Sequence, residues 1–221
     1  MTKTVVSSLD GLSNDTLFGM WARGEVEDLL DLPYEGIRVE IIGGQIVVSP
    51  APSLAHAGVL SDIGEAFTVA SVKEPDFPWV TRQVVNLYRE TAGKGCIPDL
   101  IVLDADVLGA TVEADAFGVA PDEIEMVVEV TSRSNSEQDR PPITGRRLAD
   151  PNKWSRYAKV EIPYYLLVDR SPKEAKTTLF SVPDRSTGAY LLRESWKFGE
   201  TIRLPEPFNI EIETSRWRPW K

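Results

Sequence analysis

Two short apolar runs constrain this chain more than any other stretch: Cys96-Ile97-Pro98-Asp99-Leu100-Ile101-Val102-Leu103 and Ile124-Glu125-Met126-Val127-Val128-Glu129-Val130. Each has the length of a strand, and runs this apolar are usually buried on both faces of a sheet. Each also carries an acid in its middle. Alternation predicts Asp99 on one face with Ile97 and Ile101, and Glu129 on one face with Val127 and Thr131. A buried carboxylate without a partner costs several kcal/mol, so each acid must find a cation, a donor or a proton. Two readings fit such a pair. Acids on neighbouring strands make a divalent-metal site; alternatively, each is structural, at a sheet edge or paired with an arginine.

The 221 residues are enough for one sizeable core, and 42% hydrophobic with 26% charged content is ordinary for a soluble globular protein. The single cysteine, Cys96, excludes an internal disulfide and any cysteine-based zinc cage, and the single histidine, His56, excludes a multi-histidine site. A metal here needs oxygen ligands, which favours Mg²⁺ or Mn²⁺. The N-terminus has no apolar core of signal-peptide length, and no run is long enough to span a membrane, so the expected location is the cytoplasm.

A net charge of −10 argues against a general nucleic-acid-binding surface. The charge is uneven, however. Residues 1–35 hold seven acids against two bases, whereas residues 133–159 hold seven bases against three acids. That basic segment directly follows the second acidic run, and a solvated loop is its plain explanation.

Along the chain, residues 15–31 read as an amphipathic helix with Leu17, Phe18, Trp21, Val26, Leu29 and Leu30 on its apolar stripe. Ile37–Val48 reads as two strands around Gly43-Gly44, a hairpin signal, with Glu40 near the end of the first. Ser53 caps a helix that places His56, Val59, Leu60, Ile63, Phe67 and Ala70 on one face. Residues 79–87 read as a strand, 104–123 as an acidic connection and 131–149 as a long polar loop. Asp150-Pro151 reads as the cap of a helix in which Lys153 and Tyr157, four apart, share a face. Strand signals follow at 162–169, 176–182, 188–196 and 208–213, before a basic, aromatic tail. The order of elements predicts a single α/β domain with a mixed sheet.

Together these pieces resemble the Uma2 family (also called DUF820), a branch of the PD-(D/E)XK nuclease superfamily. The matching residues are Val39–Pro50 with His56 behind, Pro98-Asp99-Leu100, Val127–Ser132, Lys153 with Tyr157, Ile162–Asp169 and Leu204–Phe208. No single motif is specific, but six in this order are. The resemblance implies a restriction-endonuclease-like α/β fold: a mixed sheet flanked by helices, with extra antiparallel strands at both ends. It implies an N-terminal helical segment packed on the domain over residues 1–33, the domain itself over 34–213, and a tail over 214–221. Asp99 and Glu129 are then metal-binding acids, the Val130 carbonyl is a further ligand, and Glu40 is the upstream acid that completes the shell. The superfamily's lysine stands two residues after the second acid; here that position is Thr131, and Lys153 matches the lysine that Uma2 proteins carry on the following helix. His56 and Tyr157 are further candidates, and for the lone His56 a packed, hydrogen-bonded side chain is the plain explanation. Two departures stand out: Gln138–Asp150 reads as an insertion, and Gln45 replaces the usual acid after the hairpin's Gly-rich turn.

Phosphodiester hydrolysis needs a hydroxide at neutral pH and a counter-charge for the developing phosphorane, which suits a divalent ion beside a lysine. The leading expectation is a Mg²⁺-dependent, endodeoxyribonuclease-like enzyme, with Mn²⁺ as an alternative ion and DNA as partner; a homodimer would join two weak basic patches into one groove. The competing expectation is a non-catalytic nucleic-acid- or protein-binding module that keeps the nuclease fold, which the net charge favours. Hydrolysis of a smaller phosphate ester is a third.

Overall fold

The middle of the main sheet is built from the two apolar runs. The computed structural model describes residues 4–6, 19–21, 23, 25–26, 30, 38–42, 45–49, 51–89, 94–133, 136–142 and 152–221. Its elements begin with strands β1 (Thr4–Val6), β2 (Arg38–Ile42) and β3 (Gln45–Ser49), then helix α1 (Leu54–Lys73). Strands β4 (Trp79–Gln83), β5 (Asn86–Arg89), β6 (Lys94–Cys96) and β7 (Leu100–Asp104) lead to helix α2 (Ala105–Glu113). Next come β8 (Gly118–Val119), β9 (Ile124–Val130), the single turn α3 (Ser136–Asp139) and helix α4 (Lys153–Lys159). The chain ends with β10 (Tyr164–Asp169), β11 (Lys176–Asp184), β12 (Ala189–Lys197), β13 (Ile202–Arg203) and β14 (Glu211–Ile212).

The main sheet runs β12-β11-β10-β9-β7-β4. Only β9 and β10 are parallel within it, because the segment carrying α4 crosses over between them; the other neighbours are antiparallel, so the sheet is mixed. Smaller antiparallel groupings, β1-β3-β2 and β13-β14, lie at either end of the chain, and β6-β5-β8 forms a third small sheet.

Alternation along β9 decides what each face does. Met126, Val128 and Val130 pack with Val59, Leu60, Ile63 and Phe67 of α1 and with Phe208 and Trp217. Val127 points the other way, into a cluster with Tyr165, Leu167 and Trp154, Tyr157 and Ala158 of α4. Glu129, two residues on, shares that second face. The strand is therefore apolar on both sides past its half-buried Glu125 and admits one buried acid, Glu129, which must meet a partner on α4.

Several expectations change in detail. Asp99 is not inside a strand: β7 starts at Leu100, and the chain bends at Asp99 after Pro98, which has no N–H to give to a ladder. The expected strand over 79–87 is two strands, broken where Val84 takes a positive φ of 56°. The acidic connection holds helix α2, capped by Asp104, whose carboxylate accepts from the Asp106 amide at 2.7 Å. Helix α4 is capped by Asn152, whose Oδ1 accepts from the Ser155 amide at 2.9 Å. The expected cap Asp150-Pro151 lies outside the described residues, as do Leu17, Phe18, Leu29, the Gly43-Gly44 turn and 143–150. Gly19, Met20, Trp21, Glu25 and Val26 are helical, and Trp21 Nε1 donates to the Val39 carbonyl at 2.7 Å.

Cys96 is fully buried, and burial pushes its thiol up, which keeps it protonated and unreactive. An aromatic disulfide reagent is expected to leave the native protein unlabelled and to label one thiol in urea; prompt native labelling would contradict the placement.

Candidate active site

Glu129 lies at the centre of a buried polar cluster. On α4, Lys153 is the first helical residue and Tyr157 follows one turn later on the same face. Tyr157 Oη donates to Glu129 Oε1 at 2.6 Å, and Lys153 Nζ lies 3.0 Å from Oε1 and 3.2 Å from Oε2. The same ammonium is 3.2 Å from Glu40 Oε1, brought in by β2, which also accepts from the Ile97 amide at 3.1 Å. Asp99 joins from the bend before β7. Its Oδ2 accepts from the Val130 amide at 2.9 Å, the residue next to Glu129, and lies 3.3 Å from His56 Nε2 in the first turn of α1. The histidine contact is not aligned as a hydrogen bond.

All six expected side chains are thus together: Glu40, His56, Asp99, Glu129, Lys153 and Tyr157 are each no more than 6% exposed. Burial pushes the Glu129 carboxyl well up; Lys153 pulls it down, while Asp99, Asp139 and Glu40 push it further up. For Lys153, burial works against the charge, but Glu129, Glu40, Asp139 and Asp99 more than offset it and hold the ammonium well above its usual range. The sequence pattern missed Asp139. It is fully buried, acts electrostatically on both Glu129 and Lys153, and accepts from Tyr165 Oη through its carbonyl at 2.9 Å. A single turn reading Ser-Glu-Gln-Asp inside a polar loop looks solvated, so no local signal reveals it.

Among the described residues, no three His, Cys, Asp or Glu side chains stand close enough to form a ready metal cage. In kind and charge the donor set fits a hard divalent cation: Glu40, Asp99 and Glu129 offer only oxygen, are buried, and bring more negative charge than Lys153 balances. As placed, the Lys153 ammonium lies between two of the three.

The profile of the Uma2 family, described as "Putative restriction endonuclease", matches residues 26–216. The chain belongs to the Uma2 family. Restriction-endonuclease-like proteins generally use divalent metal ions, and the donor set above is of that type. Among solved structures, the chain is similar to a protein from Anabaena variabilis described as "a putative nuclease belonging to DUF820". The two share 16% identity, with 86% of this chain and 94% of the other covered at a TM-score of 0.58, which establishes a common fold. No curated protein matches the sequence. Among the described residues, no helix is long and apolar enough to cross a membrane.

The cluster of this Uma2 protein also sets an alkaline limit. Burial raises the ionisation of Cys96, Tyr157, Tyr165 and Tyr190 above their ordinary values of 9.0 for the thiol and 10.0 for the phenols. Above those values the unfolded chain releases protons that the folded chain keeps, so stability is intact below them and falls as pH rises through them. Each group contributes a slope of up to about 1.4 kcal/mol per pH unit. Urea unfolding across this range is expected to show a steep alkaline loss, reduced in Tyr190→Phe; a flat profile would contradict it.

Proposed function

We propose that this Uma2 protein is a divalent-metal-dependent nuclease that hydrolyses phosphodiester bonds, with Mg²⁺ or Mn²⁺ as the ion and DNA as the substrate. One observation carries the reading: three buried carboxylates from distant parts of the chain converge on one place, and a single buried ammonium pairs with two of them, Glu40 and Glu129. A purely structural core gains nothing from so many ionisable groups at this depth, since apolar side chains of similar volume serve it as well or better. Asp99 and Glu129, with the Val130 carbonyl and Glu40, would hold a divalent ion, whose chemistry there is to activate a water and offset the charge developing on phosphorus. Lys153 orients the attacking water and neutralises charge on the phosphate oxygens. Tyr157 holds the Glu129 carboxylate in place through its 2.6 Å hydrogen bond, and His56 packs against Asp99.

The test is cleavage of plasmid DNA, single-stranded DNA and RNA by the purified protein with Mg²⁺, Mn²⁺ or EDTA. Cleavage is expected only with metal, and Asp99→Asn and Lys153→Met are each expected to lose about 100-fold or more of it. Cleavage that survives in EDTA or in Asp99→Asn would defeat the reading. The position of the Lys153 ammonium between Glu40 and Glu129 favours a second reading, a non-catalytic binding module. That module would bind nucleic acid or protein equally well with or without metal and cut nothing.

A further inference from the structure

We propose that the Arg170 guanidinium and the free amides at the start of α1 form a subsite for one phosphate group of a nucleic-acid strand; the strand's identity rests on the nuclease reading above. Arg170 directly follows β10 and is 6% exposed. Its Nε donates to the Arg218 carbonyl at 3.1 Å, and its Nη1 to Ser53 Oγ at 3.4 Å. Those bonds use two of a guanidinium's five N–H donors. Among the described residues no carboxylate pairs with it. The adjacent Asp169 is taken by Arg140, which grips it at 2.6 and 2.8 Å. Burial alone pulls the ionisation of Arg170 below its usual value, with no acid to restore it. A cation buried this deeply without a counter-charge is costly, and a bound anion removes that cost.

The second observation is what Arg170 points toward. Ser53 is the N-cap of the 20-residue helix α1, whose first turn contains no acid. The Leu54 and Ala55 amides, ahead of the first intrahelical bonds, carry none of the helix's hydrogen bonds, and residues 51–55 are exposed. An accessible helix start with orphan amides favours an anion. Two sources of positive potential from distant parts of the chain therefore meet at Ser53. The same turn carries His56, 3.3 Å from Asp99 Oδ2, so the subsite borders the acid cluster. A phosphate on Arg170 therefore lies at the same helix start that carries His56 to Asp99. With a net charge of −10, the protein has to hold a polyanion at local cations of this kind.

The test uses the full chain in EDTA. Fluorescence anisotropy follows a short single-stranded DNA oligonucleotide, and phosphorus NMR follows inorganic phosphate, with wild type, Arg170→Met, Arg170→Lys and Asp99→Asn. Arg170→Met is expected to bind the oligonucleotide about tenfold or more weakly. Its slope of log affinity against log salt should fall by about one. Arg170→Lys should recover part of the affinity, and Asp99→Asn should bind at least as tightly as wild type. Arg170→Met should also melt no lower than wild type, because an unpaired buried charge has been removed, so weaker binding cannot be ascribed to unfolding. Equal affinity and slope in wild type and Arg170→Met would overturn the proposal, as would failure of wild type to bind either probe. Arg170-dependent binding of phosphate without binding of the oligonucleotide would overturn the assignment to a strand. Failure of the nuclease reading shows separately, as absent metal-dependent cleavage with Arg170-dependent binding intact.

Discussion

Replacing Lys153 by methionine is expected to lower the unfolding free energy by about 3–5 kcal/mol at neutral pH. Among the described residues its ammonium is the one cation within pairing distance of both Glu40 and Glu129, and methionine keeps the bulk while removing the charge. The loss should depend on pH in a definite direction. Glu129 already sits well above the ordinary carboxylate value of 4.5 because it is buried among other acids, and without Lys153 it rises further. The folded variant then keeps a proton that the unfolded chain releases. That contribution is present below the ordinary carboxylate value and lost as pH rises through the folded one. The variant's deficit is therefore expected to shrink toward pH 4.5 and to be largest near neutrality. Adding Glu129→Gln to Lys153→Met should recover part of the loss, since it removes the stranded charge. Urea unfolding of both variants at the two pH values checks this, and a neutral-pH stability equal to wild type would contradict the cluster.

Phe67→Ala is expected to cost a similar amount, about 3–5 kcal/mol, by a different route. Phe67 is 1% exposed, with its ring centroid 6.1 Å from that of Phe77 and 5.7 Å from that of Phe208. Truncation leaves a cavity between α1 and the C-terminal segment that neighbouring rings cannot close. Because α1 also carries His56 at its start, its seating on the sheet contributes to the placement of Asp99. Leu54 on the same helix is 92% exposed, so Leu54→Ala is expected to change stability by less than about 0.5 kcal/mol. Chemical unfolding of the two variants separates them, and similar losses in both would mean that α1 is not packed as described.

Much of the cluster is legible in the sequence because its logic is local. Glu129 stands out as an acid that follows the apolar run Met126-Val127-Val128, and the spacing of Lys153 and Tyr157 puts both on one helical face. The Ser53 cap and the apolar stripe of α1 follow from pattern alone, and so does the hairpin that carries Glu40. What pattern misses depends on contacts between distant residues or on single backbone angles. Asp99 reads as a strand residue, yet Pro98 turns the chain there, and the carboxylate finds the Val130 amide across the sheet. Val84 gives no sign in its sequence of the positive φ that splits the strand around it. Helix α2 is short and has no buried residue, so no apolar stripe marks it in the sequence. Asp139 is polar among polar neighbours, and only the fold shows that it is buried. Arg170 is the extreme case: its partners lie 48 and 117 residues away, at Arg218 and Ser53.

The most direct test of the central claim, that these buried acids form a metal site, is calorimetric titration of Mn²⁺ into wild type and Asp99→Asn. The predicted result is binding in the micromolar-to-millimolar range by wild type and none by the variant. No binding by either protein, or equal binding by both, would contradict the claim and leave the carboxylates as structural partners of Lys153 and His56.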